Sequence, residues 1–227
     1  MTERRRYGQF CGLALALDVL GERWTLLVVR ELLIGPARFT SILENLPGVG
    51  PNMLSDRLRD LVRHRLVETR PVPGDARGKH YRLTPSGEEL RAPLLALSRW
   101  GMRFLTEEDA ATGVSRAAWG FLAVQAMIDP GRLPAGLEEA YQFVVDGEVF
   151  HVSVANGTAT SARGPAAAPA LVITTDAETF IRVGAGLITP FDAALVGRIR
   201  AEGDAEAIQR CALLLGLAEP ASTAAAV

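Results

Sequence analysis

Cysteine is nearly absent: Cys11 and Cys211 are the only two in 227 residues, so neither a disulfide framework nor a Cys-rich zinc site is available. Long apolar runs are absent as well. Trp24 to Ile34, the best candidate, is interrupted by Arg30 and Glu31 and falls short of the ~18 residues a membrane span needs. Met1-Thr2-Glu3-Arg4-Arg5-Arg6 leads into neither an apolar h-region nor a cleavage site. These features predict a cytoplasmic protein without a membrane partner. Catalytic patterns are equally scarce. His64, His80 and His151 lack metal-ligand spacing, no Gly-x-Ser-x-Gly elbow occurs, and Gly184-Ala185-Gly186 fails as a dinucleotide fingerprint because Thr189 stands at the third glycine position. The expectation is a protein that is not an enzyme and uses no cofactor or metal.

What is present is a chain of ordinary globular composition, 48% hydrophobic and 22% charged, which predicts a packed core. Its length suits two compact domains of about 100 residues each. The net charge of −2 conceals an asymmetry: residues 1–108 carry 17 Lys/Arg against 13 Asp/Glu, and residues 109–227 carry 7 against 13. A mildly basic first half permits nucleic acid as its partner.

Along the first half, Asp18 to Ile34 reads as one helix, Phe39 to Leu46 as a second, and a third begins at Pro51, whose missing N–H costs nothing at a first helical position. In that third helix Leu54, Leu58, Leu61 and Val62 form one stripe, and Asn52, Asp56, Arg59 and Arg63 fall on the opposite side. Leu66 to Pro71 and Lys79 to Thr84 read as strands joined by a Pro/Gly-containing tip that is basic at Arg77, Lys79 and His80. Thr84-Pro85 then caps a helix predicted to reach about Leu105, bent near its start by Pro93, and 106–115 reads as the linker. Charges on a lone exposed helix face are ordinarily only solvated. Three helices followed by a basic hairpin are different, because they are the order of a winged helix-turn-helix: a helix fits the major groove, Asn can read adenine and Arg guanine, and the hairpin reaches flanking phosphates. Asn52, Ser55, Asp56, Arg59, Arg63, Arg77, Lys79 and His80 are the candidate DNA-binding residues.

Four stretches, Leu17 to Leu27, Leu32 to Phe39, Asn52 to Leu58 and Tyr81 to Gly87, resemble the HxlR family of bacterial winged-helix regulators. The resemblance covers about residues 10–105. It implies a homodimer, a recognition helix at about residues 51–65, a wing at about residues 69–82, and dimer contacts from the first and last helices of the domain. Gly50 departs from it, standing where the family usually has Ser or Thr, so a hydroxyl that would hold phosphate is missing; the wing is also somewhat long. Cys11 occupies the place of an N-terminal cysteine that senses oxidants or electrophiles in some members. A position at a helix start near Arg4, Arg5 and Arg6 favours the thiolate, whereas a packed cysteine behaves as an inert small hydrophobe. Cys211 shares an apolar stripe with Ile208 and Leu215 and reads as core.

In the second half a helix bearing Trp119, Leu122, Ala123 and Ala126 precedes three alternating strands turning at Asp146-Gly147 and Asn156-Gly157. A fourth strand spans 170–174, Thr175 and Glu178 read as a capping box opening another helix, a fifth strand spans 196–201, and a final helix covers 204–217. The fold class is therefore α+β, with domains at 1–108 and 115–227. Residues 186–195 and 197–204 give this half a resemblance to the sterol carrier protein fold over about residues 115–217, which implies an apolar pocket between sheet and helices. Phe143, Phe150, Val152, Phe180, Leu187, Ile188, Phe191 and Leu195 are its candidate lining residues, against the alternative of ordinary core. The expected function is regulation of transcription by a homodimer on an inverted-repeat duplex operator, with an apolar small molecule as effector. Two alternatives stand beside it: a carrier or sequestration protein for lipid that uses the winged helix only to dimerise, and a regulator switched by Cys11 with an empty second domain.

Overall fold

A computed structural model describes residues 6–72 and 74–218, with the side chains of Ala76 and Arg77 outside the described residues. The chain divides into two compact units, Met1–Leu94 and Leu95–Val227. The division lies within a helix, whereas 106–115, read as the linker, contains a helix of its own at Glu107–Thr112 capped reciprocally by Thr106 and Asp109.

The first unit begins with α1 (Gly12–Leu20) and α2 (Thr25–Ile34), where the sequence predicts one helix from Asp18. The helix breaks because Trp24 adopts the left-handed region at φ 78°, which a continuous right-handed helix excludes. Next come β1 (Ala37–Arg38), α3 (Phe39–Asn45) and α4 (Pro51–Arg63), then the hairpin of β2 (Val67–Val72) and β3 (Asp75–Leu83). These strands run closer to the tip than expected, and β1 adds a third strand in the order β1-β3-β2. Val28, Leu32, Ile42, Leu54, Leu58 and Leu61 close the core between α2, α3 and α4, each such side chain contributing about 1.5–3 kcal/mol by its removal from water. Val62, expected on the same stripe, lies at its edge and is 40% exposed.

At the base of the hairpin the Thr84 hydroxyl donates to the Arg65 carbonyl (2.6 Å) and accepts from the Gly87 N–H (3.1 Å). A Cβ on Gly87 would stand 2.0 Å from the Leu66 carbonyl oxygen, so only glycine lets these segments meet. This helix ends early: α5 (Pro85–Glu88) and α6 (Arg91–Met102) replace the single helix read from Thr84 to Leu105, with Pro93 in the first turn of α6. The arrangement of helices and hairpin is a winged helix.

The second unit opens with the part of α6 from Leu95 onward, followed by α7 (Glu107–Thr112) and α8 (Ala117–Met127). Its five-stranded sheet has the order β6-β5-β4-β7-β8, built from β4 (Glu139–Val145), β5 (Glu148–Ala155), β6 (Thr158–Arg163), β7 (Leu171–Thr175) and β8 (Ile199–Gly203). β4 and β7 are parallel; the other pairs are antiparallel. Connecting helices are α9 (Ala177–Gly184), α10 (Pro190–Leu195), which the sequence reading did not place as a helix, and α11 (Ala205–Leu214). Period-two alternation puts Tyr141, Phe143, Val145, Phe150, Val152 and Val154 on one buried face, where they share a core with Phe121 and Val124 of α8 and Cys211 and Leu214 of α11. The cap of α9 is Asp176, one residue after the expected Thr175, whose hydroxyl instead donates to the Arg198 carbonyl (2.9 Å).

Candidate functional site

In α4, burial of Leu54, Leu58 and Leu61 leaves Asn52, Asp56, Arg59 and Arg63 exposed, with Ser55 half-buried. The helix starts at an uncapped Gly50 followed by Pro51, so its first N–H groups have no side-chain partner at the cap. The Arg59 Nη1 donates to Asp56 Oδ1 at 2.9 Å, and the Arg63 Nη2 lies 3.0 Å from Asp60 Oδ1. Both pairs are solvent-exposed on their arginine side and therefore weak. A guanidinium held this way is kept extended along the helix face, yet a phosphate or guanine can take it over at small cost.

The hairpin carries a second group of cations. Register places His80 opposite both Arg38 and Arg70, and Arg82 opposite Glu68. Since Val67 and Leu83 point inward, alternation turns Glu68, Arg70, His80 and Arg82 to the outer face. Glu68 accepts from Arg82 Nε (2.6 Å) and Arg70 Nη2 (3.1 Å), and Arg38 Nη1 meets Asp75 Oδ2 at 3.0 Å. The Arg82 guanidinium holds the Glu68 carboxyl below its ordinary range. Lys79 is exposed and His80 half-buried; the side chain of Arg77 lies outside the described residues. Arg38, Arg70 and Arg82 are not among the candidate residues that the sequence picks out. Alternation about Val67 and Leu83 was the available signal for Arg70 and Arg82, while β1, two residues long, is too short to show a period.

Cys11 stands immediately before α1 and is exposed, not packed. Its sulfur faces the N–H groups of Ala14 and Leu13 without a hydrogen bond of good geometry, and these dipoles hold the thiol below its ordinary value. Arg4 and Arg5, expected to assist, lie outside the described residues. Cys211 is buried, and loss of solvent pushes its thiol up to about 12.

The eight residues assigned to an apolar pocket do not gather around one cavity. Phe143, Phe150 and Val152 are at most 1% exposed, and with Phe121 and Phe180 the two phenylalanines form a packed aromatic cluster with ring centroids 5.4–6.1 Å apart. They belong to the core that α8 and α11 share with β4 and β5. Phe191 and Leu195 lie on the solvent side of α10, 71% and 70% exposed. Leu187 is half-buried. Ile188 alone of the eight borders an open cleft of about 420 Å³, whose other apolar walls include Met102, Met127, Val183, Leu215 and Leu217. Among the described residues no three or more His, Cys, Asp or Glu side chains cluster as a metal site, and no helix is long and apolar enough to cross a membrane.

Residues 19–109 match the HxlR-like helix-turn-helix family. An uncharacterised HTH-type transcriptional regulator of Mycobacterium tuberculosis is 42% identical over 90 residues, which are 40% of this chain and 56% of that protein; the present chain thus spans about half the length of this relative. The HTH-type transcriptional regulator YodB of Bacillus subtilis is 33% identical over 94 residues, 41% of this chain and 84% of YodB. The crystal structure of reduced YodB aligns at 31% identity over 44% of this chain and 98% of YodB, with a TM-score of 0.38. With YodB matched over most of its length at one-third identity, the chain belongs to the HxlR-like helix-turn-helix family.

Proposed function

We propose that this protein is a bacterial transcriptional regulator that binds an inverted-repeat duplex operator as a homodimer, through α4 and the β2–β3 hairpin. The observation that carries the reading is the division of α4 into a buried leucine stripe and an exposed Asn52, Asp56, Arg59, Arg63 face beside an outer hairpin face bearing Arg70, His80 and Arg82. Asn52 and Arg59 read bases, Ser55, Asp56 and Arg63 border the groove, and Arg77 and Lys79 hold the backbone. Arg59→Ala is expected to cost about 1–3 kcal/mol at one base-pair position and to relax preference there, whereas Lys79→Ala weakens all sequences alike and lowers the salt slope by ~1. Titrations on cognate and scrambled duplexes across salt separate the two. Parent-like cognate binding by Arg59→Ala would exclude α4 as the reading helix.

The second unit is proposed to take an apolar effector in its open cleft, with residues 115–227 forming a sterol-carrier-like domain and Arg99, Met102 and Arg103 of the same unit completing the lining. An effector changes DNA affinity only if it binds the DNA-competent and incompetent states unequally, so DNA titration with and without ligand is the measurement of regulation. A second reading, a switch at Cys11, is favoured by the exposure of that thiol and by its place at the start of α1. Peroxide treatment of the parent and of Cys11→Ser tests it, an unchanged DNA affinity of the oxidised parent counting against the switch.

A further inference from the structure

The cleft in the second unit is not simply apolar. Its floor is made by buried Met127, Val183 and Leu215, with half-buried Ile188 on its wall, and its rim carries the exposed guanidinium groups of Arg99 and Arg103. Arg99 lies in the last turn of α6 and Arg103 in the turn that follows Met102, and both border the cleft. Neither has a side-chain hydrogen bond or an ion pair among the described residues. Three arginines of this unit are by contrast paired: Arg132 with Asp129, Arg182 with Glu107 and Glu178, Arg210 with Glu139 and Glu206. The fourteen residues lining the cleft include these two cations and no Asp or Glu. Its volume of about 420 Å³ lies within the usual range for small-molecule sites, about 300–1,000 Å³.

From this juxtaposition we infer that the cleft binds an amphipathic organic anion, a molecule with an aliphatic or aromatic body and a single carboxylate head. The body lies on Met127, Val183, Ile188 and Leu215, where transfer from water drives binding. The head meets Arg99 and Arg103, whose planar forks suit a carboxylate and whose charge-assisted hydrogen bonds are stronger than neutral ones. A cation finds no counter-charge in the cleft. A neutral molecule of the same shape binds, but leaves both arginines to solvent. The inference rests on the reading of this unit as a site for an apolar effector and adds the charge and the head group.

Calorimetric titration of the full chain with octanoate, 1-octanol and octyltrimethylammonium tests it. Octanoate is expected to bind one per chain, at least tenfold more tightly than 1-octanol, and octyltrimethylammonium more weakly than either. Arg99→Gln with Arg103→Gln should bring octanoate to the affinity of 1-octanol, and the Lys pair at the same positions should restore most of the difference. Ile188→Trp, which fills the cleft from its wall, should weaken both ligands at least tenfold with little change in Tm. Equal affinity for octanoate and 1-octanol in the parent overturns the anion inference while leaving the apolar-effector reading in place. Unchanged octanoate binding in Ile188→Trp overturns the assignment to this cleft. Binding of neither ligand overturns both the inference and the reading on which it rests.

Discussion

Two cysteines of identical chemistry are driven in opposite directions by their surroundings. Cys11 sits in water before the first turn of α1, where the N–H groups of Ala14 and Leu13 favour the thiolate; Cys211 lies in the core against Glu139, where burial first, and then the carboxylate, oppose it. Because the thiolate is the nucleophile, iodoacetamide should label Cys11 of the native protein at neutral pH and leave Cys211 unmodified until unfolding. The pH dependence of the Cys11 rate should have its midpoint below the free-thiol value of about 8.5. Peptide mass spectrometry against time reads both, and equal labelling of the two sites would refute the difference. Proximity of a cysteine to a helix start is visible in the sequence. Its exposure is not, since a Gly-Leu-Ala-Leu-Ala-Leu run after it reads equally well as a buried segment.

Caps show what an element takes from its own residues and what it takes from neighbours. Asp176 accepts from the Thr179 N–H and from its hydroxyl, both at 2.7 Å. Partial burial raises the Asp176 carboxyl, but these hydrogen bonds and the nearby Arg198 outweigh it and hold the group below its ordinary value. A carboxylate depressed in the folded state stabilises fully above its unfolded value, near 3.9, and loses that contribution as pH falls through the folded one. Asp176→Ala should therefore cost about 1 kcal/mol at neutral pH, and its difference from the parent should shrink as pH is lowered below about 4. Urea unfolding of both proteins across that window measures it; a difference independent of pH would mean that Asp176 does not act through its charge. The sequence signalled a cap here but placed it at Thr175, since Thr-x-x-Glu is a sound capping box taken locally. The Thr175 hydroxyl is diverted to the Arg198 carbonyl, 23 residues away, and no local pattern registers that competition.

At the scale of the molecule, α1 leaves an apolar stripe uncovered. Leu13 and Leu17 fall four residues apart on one face, and both are exposed, as is Phe10 just before the helix, while Ala14 turns inward. Apolar stripes of this kind are rarely left to water, and a two-fold axis through α1 would cover one copy with another. The parent is expected to sediment as a dimer, with Leu13→Glu combined with Leu17→Glu shifting it to monomer at micromolar concentration. The same variant should protect each half-site weakly and independently, where the parent protects two half-sites about 10 base pairs apart or a multiple of that. Footprinting and sedimentation together decide it; a parent that sediments as a monomer would remove the dimer from the proposal.

The sequence by itself determined those features whose signal is periodic and local. The leucine stripe of α4 and the alternating inward residues of β4 and β5 follow from 3.6- and 2-residue repeats that any fold of these segments must respect, and the Pro and Gly punctuation around the hairpin follows from the backbone limits of those two residues. Family membership was legible for the same reason, in contiguous motifs from Leu17 to Gly87. Tertiary structure decided everything that depends on which surfaces meet. It broke the first predicted helix at Trp24 and consigned Phe143, Phe150 and Val152 to the core. It left Phe191 and Leu195 in solvent, and it gathered Arg99, Met127, Val183 and Leu215 around one cleft from four distant segments. Apolar residues are interchangeable in their attraction to one another. Whether a given one fills a core, lines a cleft or faces water is set by the elements packed over it.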